Sequence, residues 1–365
     1  MKILFCIKRT HNITGGAEWV LSEVANGLAL RGHHVTILSF DNEYEDSFYR
    51  FSTSITHLRL GSLGSCPHER MMGYIRMRKV AKSQQADIVI GFMPSIYVPL
   101  AFCFFGTGVK FIACEHIVRS FYARRPLAYL AICLAGNIAT RISFLSARIA
   151  DEFSLIADKR KVVLKNPVRQ QQKKAQVMKP SKHQYRILNV GRMVAFKDQA
   201  TLIDAFAKVQ REFPNWTLRI IGQGELRQNI GKQIAALGIS ERVSIQDASS
   251  RIEEEYAAAD LFVIPSLYEG FGLVTAEASA AGLPCIGFSD CEGTNQIIKD
   301  GVSGVLVDPG SDRAASLAAA LRRLMQDKQT MRAYGKNGID LSVRYNLESV
   351  LDDWEAVMLD VNAEY

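Results

Sequence analysis

Pro265-Ser266-Leu267-Tyr268-Glu269-Gly270-Phe271-Gly272-Leu273 follows the apolar run Leu261–Ile264 and precedes Val274-Thr275-Ala276-Glu277-Ala278-Ser279-Ala280-Ala281. A short apolar run, a glycine-bearing turn and a small-residue stretch predict a buried strand, a loop and a helix over Val274–Ala281. Gly270 and Gly272 let backbone N–H groups come close to a ligand, and a helix N-terminus favours an anion there. Glu277 lies eight residues beyond Glu269. One carboxylate in the loop and one on the helix can point into one pocket and accept hydrogen bonds from ligand hydroxyls. Taken singly, each reads as an acid placed well for the helix dipole; the glycines and the small-residue helix together favour a binding site.

Working outward, the same alternation fills the second half. Strands are expected at Ile187–Val190, Leu218–Ile221, Val243–Ile245, Pro284–Gly287 and Gly304–Val307, with helices at Asp198–Glu212, Glu225–Leu237 and Arg313–Met325. The first half repeats the scheme with strands at Ile3–Ile7, Val35–Phe40, Ile88–Gly91, Val109–Cys114 and Ile142–Leu145, and a helix Ala17–Leu30 ended by Arg31-Gly32. Between the halves, Arg169–His183 (RQQQKKAQVMKPSKH) is polar, basic and aperiodic, and reads as a linker. The expectation is an α/β protein with two doubly wound domains: 1–168, joined by a returning C-terminal helix within 345–365, then a linker 169–184, then 185–344. Ligands of such sheets sit beyond the carboxyl ends of the strands, so two facing domains would form a cleft lined by strand-end loops.

The chain's 365 residues suit two domains. Its seven scattered cysteines contain no CxxC pair, which argues for reduced thiols and against a zinc site. The N-terminus lacks a signal-peptide pattern, and the apolar segments Phe92–Phe105 and Leu127–Leu145 make poor membrane spans. A cytoplasmic protein is the expectation. The net charge of +7 is uneven: residues 1–175 hold 24 Lys and Arg against 12 Asp and Glu, and the rest hold 20 against 25. A basic first half faces something anionic. Arg70, Arg76, Arg78, Lys79, Lys82, Arg119, Arg124 and Arg125 lie among Met71, Met72, Phe121, Tyr122 and Leu127, a combination suited to peripheral docking on an anionic membrane or to a solvated basic surface. Nucleic acid is the weaker reading, because the strand-end motifs point to a small-molecule site.

Other strand ends carry further candidates. Gly191-Arg192 ends one strand and Lys197 starts the next helix, a pair of cations that suits a diphosphate. Gly222-Gln223-Gly224 ends another, but the full GxGxxG is broken by Arg227, so a dehydrogenase is poorly supported. Gly15-Gly16 precede the first helix, and Glu115-His116 end the strand at Cys114.

These stretches resemble the GT-B-fold retaining glycosyltransferases of family 4 (group 1). The resemblance rests on Gly15–Glu18, His34–Thr36, Val190–Asp198, Ile220–Leu226, Pro265–Gly287 and Ile297–Pro309. It implies a metal-independent enzyme without cofactor, moving a sugar from a nucleotide-sugar, by preference a UDP-sugar, to a glycan or lipid-linked acceptor of cell-surface polysaccharide. Arg192 and Lys197 would neutralise the leaving diphosphate, Glu269 would bind donor-sugar hydroxyls, and His116 would approach the reacting carbon. Gly270, Phe271, Gly272 and Leu273 would line sugar and phosphate through their backbone, Glu277 would hold the ribose, and Gly15, Gly16 and Gly222 would adjoin the donor. Two departures stand out: Gln246–Ser250 lacks the usual glycine turn near the base, and Asn166-Pro167 replaces Asn-Gly. A DxD metal motif is absent from the sequence. An epimerase or a silent sugar-nucleotide-binding protein of the same fold are the competing readings; retention of Arg192, Lys197, Glu269 and Glu277 favours the transferase.

Overall fold

The computed structural model describes all residues except 12–14, 180–182, 249–250 and 364–365. The chain divides into two compact units, one formed by Met1–Pro167 with Leu347–Tyr365 and the other by Val168–Asn346.

The first unit is a parallel sheet of strands β1 (Lys2–Cys6), β2 (His34–Ser39), β3 (Thr56–Arg59), β4 (Ile88–Phe92), β5 (Phe111–Cys114), β6 (Arg141–Phe144) and β7 (Lys161–Val163). Their order is β3-β2-β1-β4-β5-β6-β7. Strand order reverses between β1 and β4, so the loops leaving those two strands diverge and open a crevice there. Central strands are apolar and fully buried, as β4 (IVIGF) and β5 (FIAC) illustrate, because helices cover both faces. The periodicity missed β3 and β7: these short edge strands carry half-polar sequences, THLR and KVV.

The apolar segment Phe92–Phe105 carries the helix Pro94–Phe104, and Leu127–Leu145 carries the helix Pro126–Ile138 followed by β6. Among the described residues no helix is long and apolar enough to cross a membrane. The last helix, Leu347–Ala363, returns to this unit and packs on the helix Gly16–Leu30. Close approach is made possible by Gly27, where a Cβ would lie 2.5 Å from Leu351 Cδ1.

The second unit holds β8 (Tyr185–Val190), β9 (Trp216–Ile221), β10 (Val243–Gln246), β11 (Leu261–Ile264), β12 (Cys285–Phe288) and β13 (Gly304–Val307), in the order β10-β9-β8-β11-β12-β13. All pair in parallel, and the reversal falls between β8 and β11, where Leu261 is in register with Ile187.

The stretch read as a linker carries no helix or strand among its described residues, and 180–182 lie outside them. It is nevertheless fastened to the second unit. Ala175 N–H donates to the Ala281 carbonyl, Met178 N–H donates to the buried Asp260, and Val177 and Met178 are buried. A polar stretch reads as free from its composition, but two apolar side chains and a few backbone bonds are enough to tie it down.

Candidate functional site

In the second unit β8 and β11 are hydrogen-bonded parallel neighbours, so the loops leaving them start side by side at one end of the sheet, where the strand order reverses. After β8 the chain makes a 3₁₀ turn, Ala195–Lys197, and Asp198 then caps the helix Gln199–Val209 in a left-handed conformation. After β11 it reaches Glu269 and enters the helix Leu273–Ala280. Lys197 Nζ lies 2.5 Å from Glu269 Oε1, and the Ser266 hydroxyl donates to the same oxygen at 2.7 Å. Both charged side chains are nearly buried, at 12% and 10% exposure. A buried pair of this kind survives because each charge has a partner and the carboxylate has a further donor. Beside it the Phe196 and Tyr268 rings stack at 4.8 Å, and Leu267 N–H donates to the Phe196 carbonyl. Arg192 is exposed, with its guanidinium 5.8 Å from the Phe196 ring centre and no ion-pair partner among the described residues.

Glu277 lies on the helix Leu273–Ala280, only 8% exposed, and accepts a hydrogen bond from the Tyr256 hydroxyl at 3.0 Å. Burial raises its pKa above the ordinary value, and nearby Arg169 opposes the shift. Gly272 is the N-cap of this helix, with Leu273 its first residue. The Phe271 ring is buried edge-on against Tyr345, which leaves its backbone as the part free to line a site. Gly270 is half-buried beside Glu269. Gly222 has a separate structural job. At φ 154° its Cα passes so close to the β8 exit that a Cβ would meet the Gly191 carbonyl oxygen at 2.0 Å. The glycine pattern here thus packs β9 against the Arg192 loop.

In the first unit Gly15 caps the helix Gly16–Leu30 with an extended backbone, and the loop residues 12–14 before it lie outside the described residues. His116 follows β5 and tilts over Phe92 at 5.0 Å. Its Nε2 is buried without a hydrogen-bond partner among the described residues, and burial holds its pKa down at about 4, so the ring is neutral near neutral pH. Next to it Glu115 is 1% exposed. It accepts from the Tyr97 hydroxyl, from Ile117 N–H at 2.8 Å and from the Tyr122 hydroxyl at 3.4 Å. Met93, at the β4 exit, holds φ at 70°, a strained conformation for a non-glycine residue at the reversal point of the sheet.

Glu115 carries a pH effect with a definite sign. Burial raises its pKa from 4.5 to about 7, so between those values the folded chain holds a proton that the unfolded chain has released. That contribution to stability is complete below the unfolded value and is lost as pH rises through about 7. His116 acts in the opposite sense: its contribution is present above 6.5 and is lost as pH falls through about 4. The stability of the wild type relative to Glu115→Gln is therefore expected to decline steadily across Glu115's window in chemical denaturation. A difference that stays flat over that window would show that Glu115 binds no proton there.

Among the described residues, no three His, Cys, Asp or Glu side chains gather as a metal-binding group. Two family models match the chain in succession: Glycosyltransferase Family 4 over residues 14–171 and Glycosyl transferases group 1 over residues 170–341. The chain is a family 4, group 1 glycosyltransferase. Among its relatives, the amylovoran biosynthesis glycosyltransferase AmsD of Erwinia amylovora is 25% identical over 98% of this chain and 99% of its own. A Campylobacter jejuni N-acetylgalactosaminyltransferase, named for a diphospho-undecaprenol-linked glycan, is 23% identical over 99% of both chains. The crystal structure of Anabaena HepE with UDP and glucose superposes with a TM-score of 0.81, at 20% identity, over 99% of this chain and 100% of that one. The glycosyltransferase accordingly has the GT-B fold of two Rossmann-like domains.

Within the glycosyltransferase, the structure brings Lys197 and Glu269 into contact and places Arg192, Gly270 and Gly272 in the loops at the exits of β8 and β11, with Glu277 in the middle of the helix that follows. The sequence reading missed Ser266 and Tyr256, whose hydroxyls hold the two carboxylates. Ser266, three residues before Glu269 at a strand end, was a visible signal; Tyr256, on another helix, was not.

Proposed function

We propose that this glycosyltransferase is a retaining enzyme that moves a sugar from a nucleotide-sugar, with UDP-sugar as the preferred class, to a saccharide or lipid-linked acceptor in cell-surface polysaccharide synthesis. The observation that carries the reading is the Lys197–Glu269 pair at 2.5 Å, seated where the strand order of the second sheet reverses. Breaking a sugar–phosphate bond develops negative charge on the diphosphate. Lys197, Arg192 and the N-terminus of the helix Leu273–Ala280 supply fixed positive potential for that charge, without calling on a metal. Glu269 takes hydroxyls of the donor sugar, and Glu277, held by Tyr256, takes the ribose. In this pathway the acceptor attacks from the face that the diphosphate leaves, and a phosphate oxygen takes the acceptor's proton. HepE was crystallised with UDP and glucose, and the Campylobacter relative is named for a lipid-linked acceptor; both support the proposed substrate classes.

The test is a panel of UDP-glucose, UDP-galactose, UDP-N-acetylglucosamine, UDP-N-acetylgalactosamine and GDP-mannose, read by donor consumption and by protection against melting. NMR of the product is expected to give the donor's anomeric configuration. An inverted product would overturn the retaining pathway.

A lipid-linked acceptor places the enzyme at an anionic membrane surface. Support comes from the first unit, where Phe102, Phe105, Leu127, Leu130 and Leu134 are exposed on or beside the helices Pro94–Phe104 and Pro126–Ile138. Between Asp87 and Asp151 the sequence has one acidic residue, Glu115, and it is buried. Arg119, Arg124 and Arg125 are exposed beside the second helix. Each basic residue near such a surface contributes about 1 kcal/mol. Replacing Arg124 and Arg125 by Ala is therefore expected to weaken binding to phosphatidylglycerol vesicles by roughly 10- to 30-fold in a flotation assay. Equal flotation with phosphatidylcholine vesicles would count against membrane docking.

A further inference from the structure

Arg313 stands outside every motif, yet the two site loops of the second unit converge on it. It opens the helix Arg313–Gln326, directly after the N-cap Asp312. Its Nη1 lies 2.6 Å from Asp290 Oδ2, just past β12. Nη2 donates to the Pro265 carbonyl at 3.4 Å, at the exit of β11 and ahead of Glu269. Nε faces Asp198 Oδ2 at 3.7 Å, beside Lys197, and the guanidinium sits 3.8 Å from the centre of the Phe288 ring. One planar group thus spans the exits of three neighbouring elements.

Asp198 makes this contact consequential. Its φ of 50° and ψ of 39° are left-handed, a conformation that costs a non-glycine residue free energy unless its surroundings hold it. The Thr201 hydroxyl donates to Asp198 Oδ2 at 2.8 Å, and Arg313 faces the same oxygen. Lys197 precedes Asp198 directly, so the place of its ammonium follows from the conformation that Asp198 keeps.

We propose that Arg313 is a positioning residue of the donor site: it fixes loop 191–198 and loop 265–272 at the separation that lets Lys197 and Glu269 meet, and keeps them there when the pair opens to receive the donor. The inference rests on Lys197 and Glu269 being donor-binding residues, as proposed above. The role needs a guanidinium. Its planar fork hydrogen-bonds Asp290 and the Pro265 carbonyl and faces Asp198 at ion-pair distance while its face lies on Phe288, and a lysine ammonium on one flexible stem does not.

Two measurements on Arg313→Met and Arg313→Lys test this. In hydrogen exchange without any ligand, peptides covering 191–198 and 265–272 are both expected to lose protection, with β8, β9 and β11 unchanged. In turnover with the donor panel, well below the melting temperature, kcat is expected to fall about 10- to 100-fold, with donor KM changed much less and with Lys only partly restoring the rate. The effect should be non-additive with Asp198→Asn, because both changes release the same turn. Loss of protection confined to the start of the helix Arg313–Gln326, or full kcat at lowered melting temperature, would reduce Arg313 to a fastener of the fold and overturn the proposal. Failure of the donor-site reading looks different: Lys197→Met and Glu269→Gln would then retain turnover themselves.

Discussion

Lys197→Met is expected to lower kcat by about 10²–10³-fold, the scale for removing one preorganised charge-stabilising group from a transition state. The argument is electrostatic. The ammonium is nearly buried, so little water screens it, and it sits at the exit of β8 beside the helix that supplies the other positive potential. The substitution also leaves Glu269 buried with Ser266 as its remaining side-chain partner, so the second unit loses stability. The double variant Lys197→Met, Glu269→Gln separates the two effects: it should recover much of the melting temperature and none of the rate. Steady-state kinetics with the active donor, beside thermal melts of the wild type and both variants, checks both. A rate that returned with stability would mean that Lys197 serves the fold and not the leaving group.

Trp354→Ala is expected to destabilise the first unit by about 3–5 kcal/mol, the usual range for truncating a buried large aromatic. Trp354 is 3% exposed, stacks on Phe92 at 6.2 Å and meets the edge of Phe5 at 6.1 Å. Phe92 also carries His116, so the loss should reach the candidate site in this unit. The same helix offers a ready comparison. Arg31 pairs with Glu348, Asp352 and Glu355, but two of those carboxylates are more than 70% exposed. Exposed pairs contribute about 1 kcal/mol or less each. Arg31→Ala should therefore cost less than Trp354→Ala despite breaking three contacts, and its cost should shrink with added salt. Urea unfolding of both variants in low and high salt measures this. A larger loss from Arg31→Ala would reverse the ranking of burial over ion pairing.

Much of the second unit's geometry is legible in the amino-acid pattern. The apolar run Leu261–Ile264 marks its strand to the residue, because a central parallel strand buried on both faces has no polar position to blur its ends. The edge strand Gly304–Val307 is marked as well, because its run is apolar and mostly buried. Helix starts are less sharp: the pattern places one at Glu225, and the helix begins at Arg227 after the turn at Gly224. The edge strands β3 and β7 of the first sheet escape notice because they are short and half-polar, so their residues look like loop. The stretch 169–183 misleads in its own way, for composition reports average polarity and not the two side chains, Val177 and Met178, that reach a core.

By itself the sequence determined the alternation of strand and helix, the placing of glycines and charges at strand ends, and the spacing of Glu269 and Glu277 in the stretch Pro265–Leu273 and the helix after it. Those properties are local, written within a few residues by apolar period and backbone freedom. Only the tertiary structure decided that β8 lies beside β11, that Lys197 meets Glu269, that Tyr256 holds Glu277, and that Arg313 and Trp354 support sites far from them in the chain. Parallel strands pair through long crossovers, and no local pattern encodes which pair will be neighbours. Partners separated by tens or hundreds of residues are therefore fixed by how the helices pack on the sheet, and appear only when the chain has folded.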